Sequence, residues 1–334
     1  MVTNSPEIQK LVDEGVLPQI TEENYYTPEI NKAYMSFHTW VALHGCDGIV
    51  PCEARTIAEL NGEYEDAEAD NKALLIGSYV DAKLAGDENE FAKFVSENPS
   101  IFTYEKTPNL EKITIEHPEW LTKNGTLKSE FSMKKLEEKG DYVINTPKGL
   151  KSEFVMAEKM VARCKECETF MWYMSGEKQR IFTGMIEGIP FKCKLDSYAP
   201  SGEPIIVDLK TTKDIHKMGF VPDIGHIDFC TEYGYQFQLA IYREIVRQNT
   251  GESCDCYICA VSKNKHPERK ILAFDDLELY EAITEVKRSL NGSLPMVWRG
   301  EIEPVRCERP SCPYCLDTEE KTEVINHKDL VITF

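Results

Sequence analysis

Residues 184–213 constrain the fold more than any other part of the sequence. Apolar runs at residues 183–186 and 190–195 flank Glu187 and Gly188, an acidic–glycine pair that is typical of a tight hairpin turn. Another apolar run follows Pro204 and continues to Lys210. We therefore expect a β-hairpin followed by a third strand.

The third strand carries two ionisable side chains on one face. Because side chains alternate along a strand, Asp208 and Lys210 point the same way, and Asp196 ends the preceding strand. Two carboxylates beside a lysine suit a hard divalent cation such as Mg²⁺, which prefers oxygen ligands. The lysine can orient a metal-bound water or stabilise developing negative charge. The alternative is a solvated strand face with a weak ion pair.

This arrangement resembles the PD-(D/E)XK nuclease superfamily. Asp196 matches the first acid of that motif, with Leu195 in place of its proline. Asp208 matches the second acid and Lys210 the lysine. The full set is more specific than D-x-K alone.

Two further matches extend the resemblance. Thr211 and Thr212 complete a D-x-K-T-T sequence that resembles the RecB-like and phage exonuclease branches. Gln238 and Tyr242 resemble their Q-x-x-x-Y helix, and a spacing of four puts both on one helix face. The chain thus resembles phage and prophage exonuclease VIII-like proteins over roughly residues 22–320. The resemblance implies that these four residues contact DNA.

The resemblance also implies an architecture. We expect an α/β fold with a central mixed β-sheet flanked by helices, as in the restriction-endonuclease-like core. An N-terminal segment, residues 1–21, would precede a nuclease domain at residues 22–300 with a variable insertion at about 100–150. A cysteine-containing segment, residues 301–334, would follow.

The function implied is a Mg²⁺- or Mn²⁺-dependent exonuclease that hydrolyses phosphodiester bonds from DNA ends, expected to be double-stranded, in phage-type recombination or repair. A single-strand annealing recombinase would be its partner. Whether the protein forms a homo-oligomer stays open. Asp196, Asp208 and the carbonyl of Leu209 would hold the metal, and Glu177 would add a catalytic carboxylate. The polarity of digestion rests on the resemblance alone.

One position departs from the family pattern. The family carries G-x-x-x-H on an apolar helix, where the histidine contributes to the metal site. Here the pattern runs from Gly77 to Asp81 within the apolar residues 73–85. A carboxylate can also ligate Mg²⁺, so Asp81 is a candidate metal ligand. The alternative is an ordinary surface residue of the helix.

Charge and hydropathy limit the other function classes. A net charge of −19 argues against a general nucleic-acid coat, because phosphate binding depends on Lys and Arg. No apolar run approaches eighteen residues, and the N-terminus lacks an export signal, so we expect a cytoplasmic protein without a membrane segment. The acidic charge and Asp81 favour one alternative, a non-catalytic DNA-end-binding or scaffolding protein. A second alternative is a metal-containing interaction protein.

Twelve cysteines favour metal ligation or burial over disulfides in such a protein. Cys307, Cys312 and Cys315 form a C-x₄-C-x₂-C pattern, which needs a fourth ligand. RecB-like relatives tie one N-terminal cysteine to three C-terminal ones around a [4Fe–4S] cluster, which points to Cys52, with Cys46 as the alternative. Zinc and the absence of any metal stay open.

Two elements follow the third strand. Residues 214–230 are predicted as an irregular loop that guides substrate. Residues 232–247 are predicted as the helix that carries Gln238 and Tyr242.

Overall fold

The computed structural model describes residues 1–66, 71–200, 202, 204–222, 224–307, 309 and 311–319. Within these residues, no helix combines the length and the apolar character needed to cross a membrane. The chain divides into two compact units: Met1–Lys72 together with Cys164–Phe334 form the first, and Ala73–Arg163 form the second. The predicted N-terminal segment and the described part of the C-terminal segment fall within the first unit, and the predicted insertion falls within the second. Residues 308, 310 and 320–334 of the predicted C-terminal segment lie outside the described residues.

The strands of the described residues are, in chain order, β1 (Val2–Asn4), β2 (Phe102–Pro108), β3 (Val143–Leu150), β4 (Arg180–Ile186), β5 (Ile189–Leu195), β6 (Ser197–Ala199), β7 (Ile205–Thr212), β8 (Gly219–Val221), β9 (Gly225–Ile227), β10 (Asp255–Ser262) and β11 (Arg269–Phe274).

The α-helices are α1 (Pro6–Asp13), α2 (Pro28–Ala33), α3 (Phe37–His44), α4 (Glu53–Asn61), α5 (Lys72–Ala85), α6 (Glu88–Glu97), α7 (Leu110–Glu116), α8 (Met133–Glu138), α9 (Ser152–Lys165), α10 (Glu168–Tyr173), α11 (Phe229–Glu232), α12 (Tyr235–Thr250), α13 (Asp276–Leu290), α14 (Leu294–Trp298) and α15 (Pro313–Asp317).

The first unit contains mixed sheets, as the α/β prediction requires. One sheet has the strand order β1-β4-β5, with β1 parallel to β4 and β5 antiparallel to it. The other has the order β11-β10-β7-β6, and only its β7–β10 pair is parallel. The strands β8 and β9 form a separate hairpin. The predicted α/β fold is confirmed.

The turn between β4 and β5 is the predicted acidic–glycine pair. Both of its residues have positive φ, 48° at Glu187 and 74° at Gly188. Two successive positive φ values are the signature of a type I′ turn, whose twist matches that of the flanking strands. This turn fixes the hairpin register, in which Ile186 pairs with Ile189 and Arg180 with Leu195.

A single apolar core connects the two sheets of the first unit with the long helix α12. Leu239 and Ile245 of α12 pack with Phe191 of β5 and with Ile206 and Ile258 of β7 and β10. The helix begins after Gly234 and ends before Gly251, both in the left-handed region. Because α12 buries one face against both sheets, its Gln238 and Tyr242 lie beside β7.

The second unit has its own small clusters. Its strands β2 and β3 form an antiparallel pair whose register shifts between Thr103 and Tyr104. Ile113, Leu136 and Tyr142 form a buried cluster in which the ring of Trp120 takes part.

Two sequence predictions need correction. Residues 214–230 are not an irregular loop, because they contain the hairpin β8–β9 and the start of α11. The predicted helix 232–247 begins at Tyr235 and ends at Thr250, and Gly234 separates it from α11.

Candidate active site

Asp196 lies at the bend between β5 and β6, opposite the middle of β7. Strand β6 pairs with β7, and the pair Ser197–Val207 brings this bend next to Asp208. The backbone N–H of Leu209 donates a 2.8 Å hydrogen bond to Oδ2 of Asp196, and Nε2 of Gln179 lies 3.3 Å from Oδ1. The carboxylate of Asp196 is therefore held against the backbone of the strand that carries Asp208.

The bend itself is fixed by close backbone packing. Glu177 and Tyr198 exchange backbone hydrogen bonds of 2.7 and 3.0 Å, and the N–H of Gly176 donates to Oγ of Ser197 over 2.9 Å. A Cβ at position 176 would lie 2.6 Å from the backbone of Tyr198. Glycine is therefore required where the chain passes the bend.

Asp208 is buried, with 4% of its surface exposed, and its two oxygens have different surroundings. Oδ1 accepts a 2.8 Å hydrogen bond from Nε2 of Gln238. Oδ2 lies 2.7 Å from Nζ of Lys210. The ammonium of Lys210 also lies 4.7 Å from the ring centre of Tyr235, a cation–π distance.

Gln238 and Tyr242 form a hydrogen-bonded pair behind Asp208. The amide nitrogen of Gln238 donates both to Asp208 and, over 2.9 Å, to the hydroxyl of Tyr242. Both residues are buried. Burial and, to a lesser extent, the Asp208 carboxylate raise the pKa of Tyr242 well above its usual value. The described contact of this pair is with Asp208, and its contact with DNA stays a prediction.

These residues line one cleft of about 420 Å³ in the first unit. Its walls carry Asp196, Asp208 and three lysines, Lys192, Lys194 and Lys210. The remaining lining residues are mostly polar or aromatic: Tyr25, Tyr26, Asn31, Ser36, His38, Thr39, Leu60, Gln238 and Tyr242. The arrangement therefore combines carboxylates that can hold a cation with ammonium groups that can face a phosphate.

Lys192 is a site residue that the sequence did not reveal. Its side chain is only 2% exposed, and Nζ donates to the carbonyl of Tyr25 and, over 2.6 Å, to Oδ1 of Asn31. The ammonium also lies 4.2 Å from the ring centre of Tyr25. Burial lowers the pKa of Lys192 to about 8. Its partners are more than 160 residues away in the chain, so no local pattern could identify it.

His38, on α3, is a second residue that sequence reasoning missed. Desolvation is the largest effect on the pKa of His38 and lowers it. The ammonium of Lys210 lowers this pKa further, whereas the carboxylate of Asp208 raises it. No motif surrounds this histidine in the sequence.

The carboxylates fit a divalent cation. Oδ2 of Asp208 is buried and, among the described residues, accepts no hydrogen bond of good geometry, although Lys210 is close. A buried carboxylate oxygen without a hydrogen bond is costly unless a cation compensates it. Asp196 faces the same cleft. The donor set is thus suited to the hard cations Mg²⁺ and Mn²⁺.

The other predicted residues lie as follows. Glu177 has a half-exposed side chain that lies 3.4 Å from Arg180. Thr211 and Thr212 end β7, and both are partly exposed. Asp81 is on α5 in the second unit and is partly exposed. The roles of these residues, and of the Leu209 carbonyl, stay predictions.

Four cysteines of the first unit form a second cluster. The thiol sulfurs of Cys52, Cys307, Cys312 and Cys315 all lie within 4.8 Å of one another. Cys315 Sγ is 3.8 Å from Cys52 Sγ and also 3.8 Å from Cys307 Sγ. Cys46, the alternative fourth ligand, lies outside this cluster. Its thiol is 3.9 Å from the backbone carbonyl of Glu232.

This quartet fits a thiolate-ligated metal. A tetrahedral zinc ion with Zn–S bonds of about 2.3 Å requires sulfur–sulfur distances of about 3.8 Å. A [4Fe–4S] cluster also takes four cysteines, with the thiols moved further apart. Burial raises the pKa of Cys307. Hydrogen bonds from the backbone N–H and side chain of Arg309, and from the adjacent thiols, outweigh this effect and lower the pKa to about 6. Its thiolate form is therefore favoured.

Comparisons with known proteins agree with this geometry. The model of the family described as a PDDEXK-like domain of unknown function (DUF3799) matches residues 36–318. A crystal structure of a candidate exonuclease from Eubacterium rectale is similar at 35% sequence identity and a TM-score of 0.72, over 95% of this chain and 99% of that one. No curated protein sequence matches the chain.

Proposed function

The chain belongs to the DUF3799 family of PDDEXK-like domains, and from this premise we propose that it is a metal-dependent deoxyribonuclease that hydrolyses phosphodiester bonds from DNA ends. The similar Eubacterium rectale protein, a candidate exonuclease, supports the exonucleolytic form of this proposal.

One observation carries the proposal. Asp196, Asp208 and Lys210 meet at the edge of one sheet, and each is fixed by a contact of its own. A solvated ion pair on a strand would not need a buried aspartate or a glutamine hydrogen-bonded behind it. The contacts therefore favour a preorganised site.

The residues have distinct roles in this proposal. Asp196 and Asp208 hold the cation, with the Leu209 carbonyl as a further ligand. Gln238 keeps the Asp208 carboxylate in one orientation, as second partners of metal ligands commonly do. Lys210 positions the attacking water beside Asp208 and faces the negative charge that develops on the phosphate. Lys192 and Lys194 add positive charge to the same cleft.

Mg²⁺ or Mn²⁺, when bound, supplies charge neutralisation at the phosphate and a more acidic water. The net charge of −19 does not oppose this chemistry, because three lysines line the same cleft as the two aspartates. The cysteine quartet is proposed to bind zinc or an iron–sulfur cluster that stabilises the fold.

The wider setting is part of the proposal. By resemblance to exonuclease VIII-like proteins, digestion would begin at duplex ends and supply single strands to an annealing recombinase in phage-type recombination.

One assay tests the proposal. End-labelled linear DNA and a covalently closed circle of the same sequence are incubated with the protein, with and without Mg²⁺. We expect degradation of the linear DNA alone, and only with the metal. Binding of DNA ends without any hydrolysis, in Mg²⁺ and in Mn²⁺, would instead support the non-catalytic end-binding alternative.

A further inference from the structure

An exposed set of aromatic rings begins at the proposed catalytic lysine. Tyr235 lies against Nζ of Lys210, at 4.7 Å from the ring centre. The ring of Tyr233 stacks on Tyr235, with centroids 5.8 Å apart and planes inclined by 19°. Tyr233 is 48% exposed. The rings therefore extend from the cleft to the protein surface.

The hairpin β8–β9 packs beside Glu232 through Gly219, and its opposite face carries two further rings. A Cβ at Gly219 would lie 3.0 Å from the carboxyl carbon of Glu232, so β8 packs beside the residue that precedes Tyr233. Phe220, the next residue of β8, is 69% exposed, and its ring meets that of His226 edge-on at 5.4 Å. We call Tyr235, Tyr233, Phe220 and His226 the aromatic surface.

Basic residues are frequent in the segment that precedes β8 and in the segment that this one contacts through His216 and Glu268. Strands β7 and β10 are parallel, so their carboxyl ends meet at one edge, where the N–H of Lys263 donates to the carbonyl of Thr212 over 2.8 Å. The segments that follow, residues 210–217 and 263–270, contain seven Lys or Arg residues against two acidic ones. A chain with a net charge of −19 thus has a local excess of positive charge at this edge.

Three of the acidic groups nearby are already engaged, and a fourth, Glu232, lies beside Gly219. Glu268 lies 2.9 Å from the imidazole of His216 and 3.1 Å from Lys270. Asp214 accepts a hydrogen bond from the N–H of His216, and Asp228 caps α11. These contacts leave the exposed ammonium groups of Lys213 and Lys217 facing solvent beside the hairpin.

We propose that the aromatic surface binds unpaired nucleotides of the strand being hydrolysed, with bases stacked on Tyr233 and Phe220 and phosphates along the basic edge. Aromatic rings that stack on bases beside a positively charged groove are the usual means of binding single-stranded DNA. In duplex DNA the bases stack on one another and only the outer face of the terminal pair is open, so a fully paired end gains less from these rings than a single strand does. The proposal deepens, and rests on, the nuclease function proposed above.

The consequence is a substrate preference. Single-stranded ends and short single-stranded overhangs bind better than blunt ends, because a blunt end must first fray. Loss of one stacking ring costs about 5- to 100-fold in affinity.

Binding is measured first, without hydrolysis. Single-stranded oligonucleotides that contain 2-aminopurine are titrated with protein in EDTA, and the quenching of their fluorescence reports stacking. Tyr233→Ala and Phe220→Ala should each raise the Kd by about 5- to 100-fold and reduce the quenching. Tyr233→Phe keeps the ring and should bind like wild type. Tyr280→Ala removes a tyrosine of α13 that is 67% exposed, about as much as Phe220, and is the control.

Hydrolysis is measured second, in Mg²⁺. The alanine variants should show a raised KM on single-stranded DNA, with a smaller change in kcat and on blunt duplexes. All variants should melt with wild type, because the replaced rings are exposed. Suppose that wild type degrades linear DNA and that Tyr233→Ala and Phe220→Ala both bind single-stranded DNA with a Kd within twofold of wild type. This result would overturn the aromatic-surface proposal and leave the nuclease proposal intact. If wild type quenches 2-aminopurine on binding but hydrolyses no DNA in Mg²⁺ or Mn²⁺, the nuclease proposal is overturned and the aromatic-surface binding remains.

Discussion

The backbone N–H of Leu209, in β7, donates a 2.8 Å hydrogen bond to the carboxylate of Asp196, at the bend after β5. This contact attaches the bend after β5 to the strand that carries Asp208 and Lys210. Local backbone packing thereby sets the distance between the two carboxylates.

Lys210→Ala should lower the rate of Mg²⁺-dependent hydrolysis by at least about 10²-fold while DNA binding changes little, because one ammonium group is lost from the reacting phosphate. Initial rates on end-labelled linear DNA and Kd values in EDTA measure the two effects. Lys10→Ala, at an exposed position of α1, is the control. Wild-type turnover in the Lys210 variant would remove this lysine from the mechanism.

Gln238→Leu should lower kcat/KM by about 10- to 100-fold and raise the Mg²⁺ concentration needed for half-maximal activity, since the Asp208 carboxylate loses the donor that orients it. Tyr242→Phe keeps that donor and should lose less than about 10-fold. A metal titration of activity separates these results. An equal loss in both variants would mean that the Tyr242 hydroxyl acts on the substrate.

Cys52→Ser should release the metal and lower the melting temperature by at least about 5 °C, because a thiolate site contributes its binding energy to folding. Elemental analysis of anaerobically purified protein identifies zinc or iron, and an iron–sulfur cluster adds broad absorbance near about 400 nm. Cys46→Ser should keep the metal, since its thiol lies outside the quartet. Metal-free wild-type protein that melts with the Cys52 variant would mean that the four thiols are simply packed together.

Lys192 should make stability rise with pH. Its pKa is about 8 in the folded protein and about 10.4 in an unfolded chain. Between these values the unfolded chain binds more protons, so the free energy of unfolding increases with pH, by about 1–3 kcal/mol from this residue. Below pH 8 both states are protonated and the contribution is constant.

Urea unfolding at pH 7.5 and pH 9.5 measures this effect as a difference between variants. Lys192→Met should lack the increment, whereas Lys194→Met, on the same strand and in the same cleft, should retain the wild-type pH dependence. A parallel pH dependence in wild type and the Lys192 variant would show that this lysine keeps its ordinary pKa.

The local parts of the site could be predicted from the sequence. Alternation along β7 put Asp208 and Lys210 on one face, and the pair Glu187–Gly188 predicted the hairpin turn that the φ values confirm. The three C-terminal cysteines could be grouped by spacing, and the resemblance added Cys52.

The parts of the site that depend on contacts between residues far apart in the chain could not be predicted from the sequence. A lysine in a strand normally indicates a solvent-facing position, yet Lys192 is buried because Tyr25 and Asn31 accept its hydrogen bonds. The hairpin β8–β9 has strands of three residues each, too short for an alternating pattern. The bend at Asp196 depends on Gly176, whose need for glycine arises from Tyr198.

The discontinuous first unit also determines the order in which the protein can be completed during synthesis. Thr3 contacts Arg180, 177 residues later, and Cys52 contacts Cys315, 263 residues later. At about 5–20 residues per second, the ribosome delivers these partners only after about 9–35 s and about 13–50 s. The second unit, which is continuous and ends at Arg163, is synthesised in full before either partner. The nascent chain therefore carries a strand without its neighbour and a thiol without its metal partners while the rest is translated, and the first unit, with its candidate active site, is completed last.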